Sequence, residues 1–163
     1  MLFRSHGTLS VQRLTTLPAG FQLVSRGLLQ MASANLIGTE ALTLGGQATV
    51  RGYDENITSG DEGFEVSHEL QGPVWQTPLS IHGRKLPPMQ SRLVAFWDYG
   101  KAWNKHPFGS DLRPNPLMGA GLGLRCNVGT NFSLVADYGW QLITTIPAQP
   151  DHHRASLKAT LAY

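Results

Sequence analysis

The sequence contains a single cysteine, Cys126, among its 163 residues, so no disulfide can form within the chain. Only 15% of the residues are charged and the formal net charge is +2, with no basic run. A nucleic-acid partner is therefore not expected. No apolar run approaches the roughly 20 residues of a transmembrane helix, and no apolar signal-peptide segment follows Met1. These absences exclude helical membrane proteins but not proteins that cross membranes with β-strands, whose signal is a short alternation.

The sequence also lacks a recognisable set of catalytic or metal-binding residues. His152 and His153 are neighbours, so on a strand their side chains point to opposite faces. His68 and His106 have no suitably spaced cysteine or carboxylate partners. The glycine-rich run at 119–124 is not followed by a helical pattern, as a nucleotide-binding loop requires, and fits the thin face of a strand better. We therefore predict no enzyme activity, no metal site and no cofactor.

What the sequence does contain is an alternation of apolar and polar residues, which predicts β-strands. The predicted strands are residues 6–16, 21–31, 63–71, 91–103, 118–128, 132–140 and 153–163. Residues 129–131 predict a tight hairpin turn. Residues 72–90 contain prolines, show no period and stay unassigned. The fold class that follows is all-β, an antiparallel meander of about seven strands.

The two faces of these predicted strands differ in chemistry. One face is apolar and carries aromatic residues near strand ends, as at Trp97, Tyr99, Tyr138 and Trp140, whereas the other carries Gly, Gln, Arg, Lys and Glu. An apolar band bordered by aromatic residues around a polar interior is the pattern of an outer-membrane β-barrel. A soluble antiparallel barrel would show much of the same alternation, so the pattern alone leaves both possibilities open.

The stretch around which the chain is organised is residues 44–63, LGGQATVRGYDENITSGDEG. It contains five glycines and has neither helical nor strand periodicity, which predicts a loop. Loops of this length inside compact domains are usually either functional or disordered. The paired Gly45 and Gly46, together with Val50 and Tyr53, are typical of tight turns and packing, so we predict an ordered loop around Arg51.

Three motifs in this loop resemble the sixth extracellular loop of two-partner secretion transporters, the haemolysin secretion/activation proteins of ShlB/FhaC/HecB type (TpsB). They are LGG at 44–46, VRGY at 50–53 and SGDEG at 59–63. Further along, FWDYG at 96–100 resembles the F-x-D-x-G strand motif of the same family. The last strand, ending in Tyr163, resembles the terminal β-signal that closes with an aromatic residue. The resemblance extends from about residue 6 to residue 163.

The resemblance implies that the loop folds back into the barrel lumen, where Arg51 pairs with Asp98. Alternation is consistent with this, because it places Asp98 on the same face as Gly100 and opposite Trp97. The planar fork of an arginine suits a carboxylate, and a charge in a poorly hydrated lumen needs such a partner. The residues implied to shape the loop and the strand motif are Gly45, Gly46, Val50, Gly52, Tyr53, Phe96 and Gly100.

Two further carboxylates share one face of the strand that follows the loop. Glu65 and Glu69 are four residues apart, so both side chains lie on the same side of a strand. We expect them to contact polar groups in the lumen.

For the whole chain, the resemblance implies the C-terminal part of a transmembrane β-barrel, sixteen-stranded in full-length members, in the bacterial outer membrane. The predicted domain is a barrel segment over residues 1–163, without the POTRA domains of those members. Seven strands in an open sheet leave two unpaired edges that lipid cannot satisfy, so we do not expect a closed pore from this chain alone.

The implied function is secretion of a partner protein of haemolysin or adhesin type. The other implied partners are outer-membrane lipid, the barrel-assembly machinery and the missing N-terminal half of the barrel. Two alternatives stay open. One is a segment of a related outer-membrane protein insertase, which shares the VRG(Y/F) loop. The other is a soluble β-barrel that binds a small ligand.

Overall fold

The computed structural model describes residues 4–81, 84–107, 116–145 and 151–162, and in this part the chain is built from ten β-strands. The strands are β1 His6–Thr16, β2 Gln22–Ala32, β3 Leu42–Leu44, β4 Thr58–Gly60, β5 Glu62–Gln71, β6 Trp75–Ile81, β7 Arg84–Trp103, β8 Leu117–Val128, β9 Phe132–Gln141 and β10 His153–Leu161. A single 3-10 turn, Pro18–Gly20, joins β1 to β2. Across the described ranges, no helix is long and apolar enough to cross a membrane.

One large antiparallel sheet contains most of these strands, in the order β1-β2-β5-β7-β8-β9-β10. Strand β6 pairs with the first part of β7, while β3 and β4 form a separate two-stranded sheet. The predicted all-β meander is confirmed, and β1 has the predicted bounds. The last predicted residue, Tyr163, lies outside the described residues.

Two stretches differ from the sequence-based prediction. Residues 72–90, which stayed unassigned, hold β6 and the start of β7, paired as a hairpin. Their alternation is broken by Pro78 and by a register shift between Thr77 and Leu79, so no period is visible in the sequence. The prediction of residues 44–63 as a loop without regular structure was partly wrong, because Leu42–Leu44 pairs with Thr58–Gly60. Strands of three residues are too short to show an alternation.

The two faces of the large sheet have the predicted character. On β7, Phe96 and Asp98 are 4% and 0% exposed on the inner face, whereas Trp97 is 37% exposed on the outer face. Trp97 stacks on Tyr99 at 6.2 Å between ring centroids, which extends the aromatic outer surface along the strand. The sheet therefore presents an apolar face outward and packs its polar face against another part of the chain.

That other part is the connection between β2 and β5, residues 33–61, which we name the inserted loop. It contains β3 and β4 and lies over the inner face of the sheet. Its apolar residues pack with residues of β7 and β8 in one buried cluster: Leu42, Leu44, Val50, Tyr53, Ala102 and Leu117. Burial of apolar surface thus holds the loop against the sheet and brings Arg51 to the middle of the inner face.

Candidate functional site

The inserted loop turns sharply on both sides of Arg51. Gly45 and Gly52 have φ angles of 106° and 98°, in the left-handed region that favours glycine. The N–H of Gly45 donates to Thr49 Oγ1 at 2.8 Å, and the N–H of Gly46 donates to the carbonyl of Val50 at 3.2 Å. These turns fix the backbone at residue 51, so the arginine side chain projects toward the strands.

The structure brings Arg51 and Asp98 together through three hydrogen bonds. Arg51 Nε donates to Asp98 Oδ2 at 2.7 Å and Nη2 donates to Oδ1 at 2.9 Å, while the Arg51 backbone N–H also donates to Oδ2 at 3.1 Å. Both residues are buried, at 4% and 0% exposure. A two-point contact of this kind uses the planar guanidinium fork, which a lysine cannot reproduce.

The other two residues of the strand motif contact the loop in different ways. The guanidinium carbon of Arg51 lies 3.5 Å from the centroid of the Phe96 ring, a cation–π contact. At Gly100, a Cβ atom would lie 3.0 Å from Leu44 Cδ1 and 3.1 Å from Val50 Cγ2, so the glycine leaves room for the loop's apolar residues. Residues 96, 98 and 100 share the inner face because strand side chains alternate.

Other strands add further polar partners to this pair. Ser67 Oγ donates to Asp98 Oδ1 at 2.7 Å, and Arg51 Nη1 donates to Glu69 Oε2 at 2.9 Å. On β8, Arg125 donates to the same Glu69 oxygen at 3.0 Å and to Asp137 Oδ1 of β9 at 2.7 Å. The result is a connected network of two guanidinium groups and three carboxylates.

Arg51 is charged, as arginines in proteins are, and this network stabilises the buried charge. Burial lowers the pKa of its guanidinium, but the hydrogen bonds and charges of Asp98 and Glu69 outweigh that effect and raise the pKa above its ordinary value. The site opens into a cavity of about 530 Å³, which Arg51, Glu69, Arg125 and Asp137 help to line. The arrangement is suited to holding a loop by charge beside a water-accessible space.

Tyr53 attaches the loop at a second point. Its hydroxyl oxygen lies 2.6 Å from the carbonyl oxygen of Ile143 and 2.9 Å from that of Met118, and it accepts the N–H of Met118 at 3.1 Å. The side chain is fully buried, and this burial raises the pKa of the phenol despite the contacts with Met118 and Ile143. The hydroxyl therefore keeps its proton and ties the loop to β8 and to the connection after β9.

Glycines of β8 and β9 make the close approach of the loop possible. The carbonyl oxygen of Arg51 occupies the space that a Cβ atom at Gly119 would need. A Cβ at Gly139 would lie 2.7 Å from the backbone nitrogen of Gly52. Gln141 Nε2 donates to the Gly52 carbonyl at 3.0 Å beside them. The thin face predicted for the glycine run of β8 is therefore the surface on which the loop lies.

The structure also places the remaining candidate residues. Glu69 contacts both arginines, while Glu65 lies opposite Gly100 in the register of β5 and β7. Sequence reasoning missed Ser67, Arg125 and Asp137. Alternation placed each of them on a polar face, but which residues of neighbouring strands lie side by side depends on register, which the sequence does not display. In the described part of the chain, no group of His, Cys, Asp and Glu side chains is arranged to hold a metal ion.

An antiparallel sheet with an apolar outer face and a polar inner face is the architecture of a segment of an outer-membrane β-barrel wall. The model of the haemolysin secretion/activation protein family ShlB/FhaC/HecB matches residues 5–126, and the chain belongs to this family. Its location is therefore the bacterial outer membrane. This assignment favours the secretion family over the insertase and soluble-barrel alternatives.

Similar proteins are named as transporters. The chain is 30% identical over 125 residues to the outer membrane transporter CdiB-2 of Burkholderia pseudomallei (strain 1026b), covering 76% of this chain and 18% of that protein. It is 42% identical over 50 residues to the outer membrane transporter CdiB of Dickeya dadantii (strain 3937), covering 31% of this chain and 9% of that protein. The matched part is thus less than a fifth of either relative.

Two solved structures share the fold. CdiB from Escherichia coli matches with a TM-score of 0.74 and 24% identity, and CdiB from Acinetobacter baumannii with a TM-score of 0.66 and 23% identity. Each match covers 98% of this chain and 27% of the solved chain. The fold of this chain is therefore that of about a quarter of a CdiB chain.

Proposed function

We propose that residues 1–163 form the C-terminal barrel segment of a two-partner secretion transporter, which exports a partner protein of haemolysin or adhesin type. Membership of the secretion/activation family supports this proposal, as do the named outer-membrane transporters among its relatives. The observation that carries it is the inserted loop, which is held on the inner face of the sheet by Arg51 and Asp98.

In this proposal the Arg51–Asp98 pair holds the inserted loop in its position within the conduit, and we call this pair the lock. The inserted loop lies on the face that lines the lumen, where an exported polypeptide has to pass. The position of the loop is specific, because both the side chain and the backbone N–H of Arg51 donate to the carboxylate of Asp98. The loop either supports the open conduit or moves to clear it. In both cases its position depends on the same buried charges.

The segment needs other protein partners to complete its barrel. In the described sheet, β1 and β10 each pair on one side only, and lipid cannot satisfy their free backbone groups. We infer that further strands, an N-terminal half of the barrel, pair with these two edges. The apolar outer face would meet outer-membrane lipid, and the barrel-assembly machinery would insert the barrel.

A secretion assay tests this function. Cells carrying the complete transporter with Arg51→Ala or Asp98→Ala are compared with wild type for the amount of partner protein released into the medium. We expect about tenfold less secretion from either variant, the change that about 1.4 kcal/mol makes in an equilibrium. Equal amounts of folded transporter in the outer membrane have to be verified for each strain.

Arg26→Ala is the matched control, because Arg26 also lies on the inner face and lines the same cavity but is exposed. It should secrete at the wild-type level. Wild-type secretion by both the Arg51 and the Asp98 variants would contradict the proposed role of this pair.

A further inference from the structure

The network around Arg51 contains a second arginine that belongs to the barrel wall. Arg125 on β8 has a side chain 16% exposed, and it points along the inner face toward β5 and β9. Its Nη2 donates to Glu69 Oε2 at 3.0 Å and its Nη1 donates to Asp137 Oδ1 at 2.7 Å. Arg125 therefore occupies two of the three carboxylates that face Arg51.

The two arginines share acceptor atoms as well as acceptor residues. Glu69 Oε2 accepts from Arg51 Nη1 at 2.9 Å and also from Arg125. Arg125 donates a hydrogen bond to Asp137 Oδ1, while Arg51 Nη1 lies 3.8 Å from the same oxygen, beyond hydrogen-bond distance. Two cations bound to the same oxygens repel each other, so each is held less firmly than it would be alone.

Arg125 is not needed to orient Glu69. The other oxygen of that carboxylate, Oε1, accepts a hydrogen bond from Gln71 Nε2 at 2.7 Å, which fixes the side chain from within its own strand. The Asp98 carboxylate is likewise oriented without Arg125, through Ser67 Oγ at 2.7 Å. Arg125 therefore competes with Arg51 for its acceptors. It is not a brace, by which we mean a residue that holds those acceptors in position for Arg51.

We propose that Arg125 sets how tightly the inserted loop is held, by competing with Arg51 for Glu69 and Asp137. It is a positioning residue of the lock, and this inference rests on the proposed function. When Arg51 leaves, Arg125 stays on Glu69 and Asp137, so of the three carboxylates only Asp98 is left without either arginine. The loop can then be released without exposing three uncompensated carboxylates in the lumen.

Amide hydrogen exchange of the complete transporter in lipid nanodiscs tests the proposal directly. The Arg51 N–H is bonded to Asp98 Oδ2, so its exchange requires the loop to leave its seat. In Arg125→Gln and Arg125→Met, the loop peptide covering 47–57 should exchange about 3- to 10-fold more slowly than in wild type, within the range of couplings between contacting residues. Arg125→Lys, which keeps the charge, should restore much of the wild-type rate.

Arg26→Gln is the matched control, because it removes the same charge from the same cavity wall and should leave the exchange rate unchanged. Faster exchange in the uncharged Arg125 variants would make Arg125 a brace and overturn the proposal. An unchanged exchange rate in these variants, or failure of both to fold, would also overturn the proposal. Arg51→Ala separates the two levels: if it does not speed exchange, the lock itself fails, whereas if it does and Arg125→Gln does not slow exchange, only this inference fails.

Discussion

At the scale of single residues, the site consists of a few buried charged side chains, each of which needs its partner to offset the cost of burial. Asp98 is fully buried, and its three contacts with Arg51 provide its cationic partner. Removing one member of a buried pair leaves an uncompensated charge, which is more destabilising than losing an exposed pair. The resemblance at 50–53 and 96–100 was enough to predict this contact. Arg125 was not predicted, because its two acceptors lie on other strands.

The Tyr53 hydroxyl gives a residue-scale prediction. Tyr53→Phe keeps the ring in the buried apolar cluster but removes the oxygen that contacts Met118 and Ile143. We expect the loop to be held less tightly by about 1–2 kcal/mol, since buried backbone groups lose a partner. Amide exchange at Met118 and Ile143 should accelerate together with that of the loop. Exchange that accelerates in neither segment would show that the hydroxyl is not an anchor.

At the scale of elements, the strands on either side of the loop are shaped to receive it. Long alternating strands such as β8 and β9 could be predicted from the sequence, because a dozen residues or fewer suffice to show period two. The short strands β3 and β4 could not, because three residues do not show an alternation. Strand β6 could not, because Pro78 and a register shift break its pattern. The glycines of β8 carried a usable signal, since a run without side chains on one face indicates a close contact.

Gly119 tests whether this strand surface receives the loop. In Gly119→Ala, the added methyl group would collide with the Arg51 carbonyl oxygen, which is backbone and cannot rotate away. We predict faster amide exchange in the loop, by about tenfold, as about 1.4 kcal/mol of steric cost requires.

Gly27→Ala is the matched control for this change, because the nearest atom to a Cβ there is 3.9 Å away on another strand. It should leave the loop undisturbed while making the same substitution within a strand. Equal exchange rates in the Gly119 and Gly27 variants would contradict the fit between loop and wall.

At the scale of the whole molecule, the sheet is polar on the side that carries the inserted loop and apolar on the other. An isolated sheet in water would bury its apolar face, yet here Leu122, Trp140 and Leu157 are 59%, 44% and 71% exposed. The proposed contact with outer-membrane lipid would make that face stable. This asymmetry could be predicted from the alternation, whereas the choice between lipid and a soluble core needed the family assignment.

Substitutions at two residues of β1 can distinguish a face that meets lipid from a face that lines the lumen. Val11 and Leu14 are 60% and 58% exposed in the sheet, but they lie on opposite faces because their positions differ by an odd number. Val11 shares the outer face, and Leu14 the inner one. Val11→Arg should destabilise the membrane-inserted barrel by about 2–4 kcal/mol, whereas Leu14→Arg should be tolerated in the lumen.

Folding of the two variants into lipid bilayers, followed across a denaturant series, measures this difference in the free energy of unfolding. The two arginine variants are each other's controls, since they place the same side chain on one strand at nearly equal exposure. Equal stability of the two would be inconsistent with lipid on one face only.

The most direct test of the account is a double-mutant cycle on the lock. The free energy of loop opening is measured by amide exchange of residues 47–57 in wild type, Arg51→Ala, Asp98→Ala and the double variant. The account predicts that the two single changes are strongly non-additive, with a coupling of about 1–4 kcal/mol between the residues. A coupling near zero, with the loop equally protected in all four proteins, would contradict the claim that Arg51 and Asp98 hold it in place.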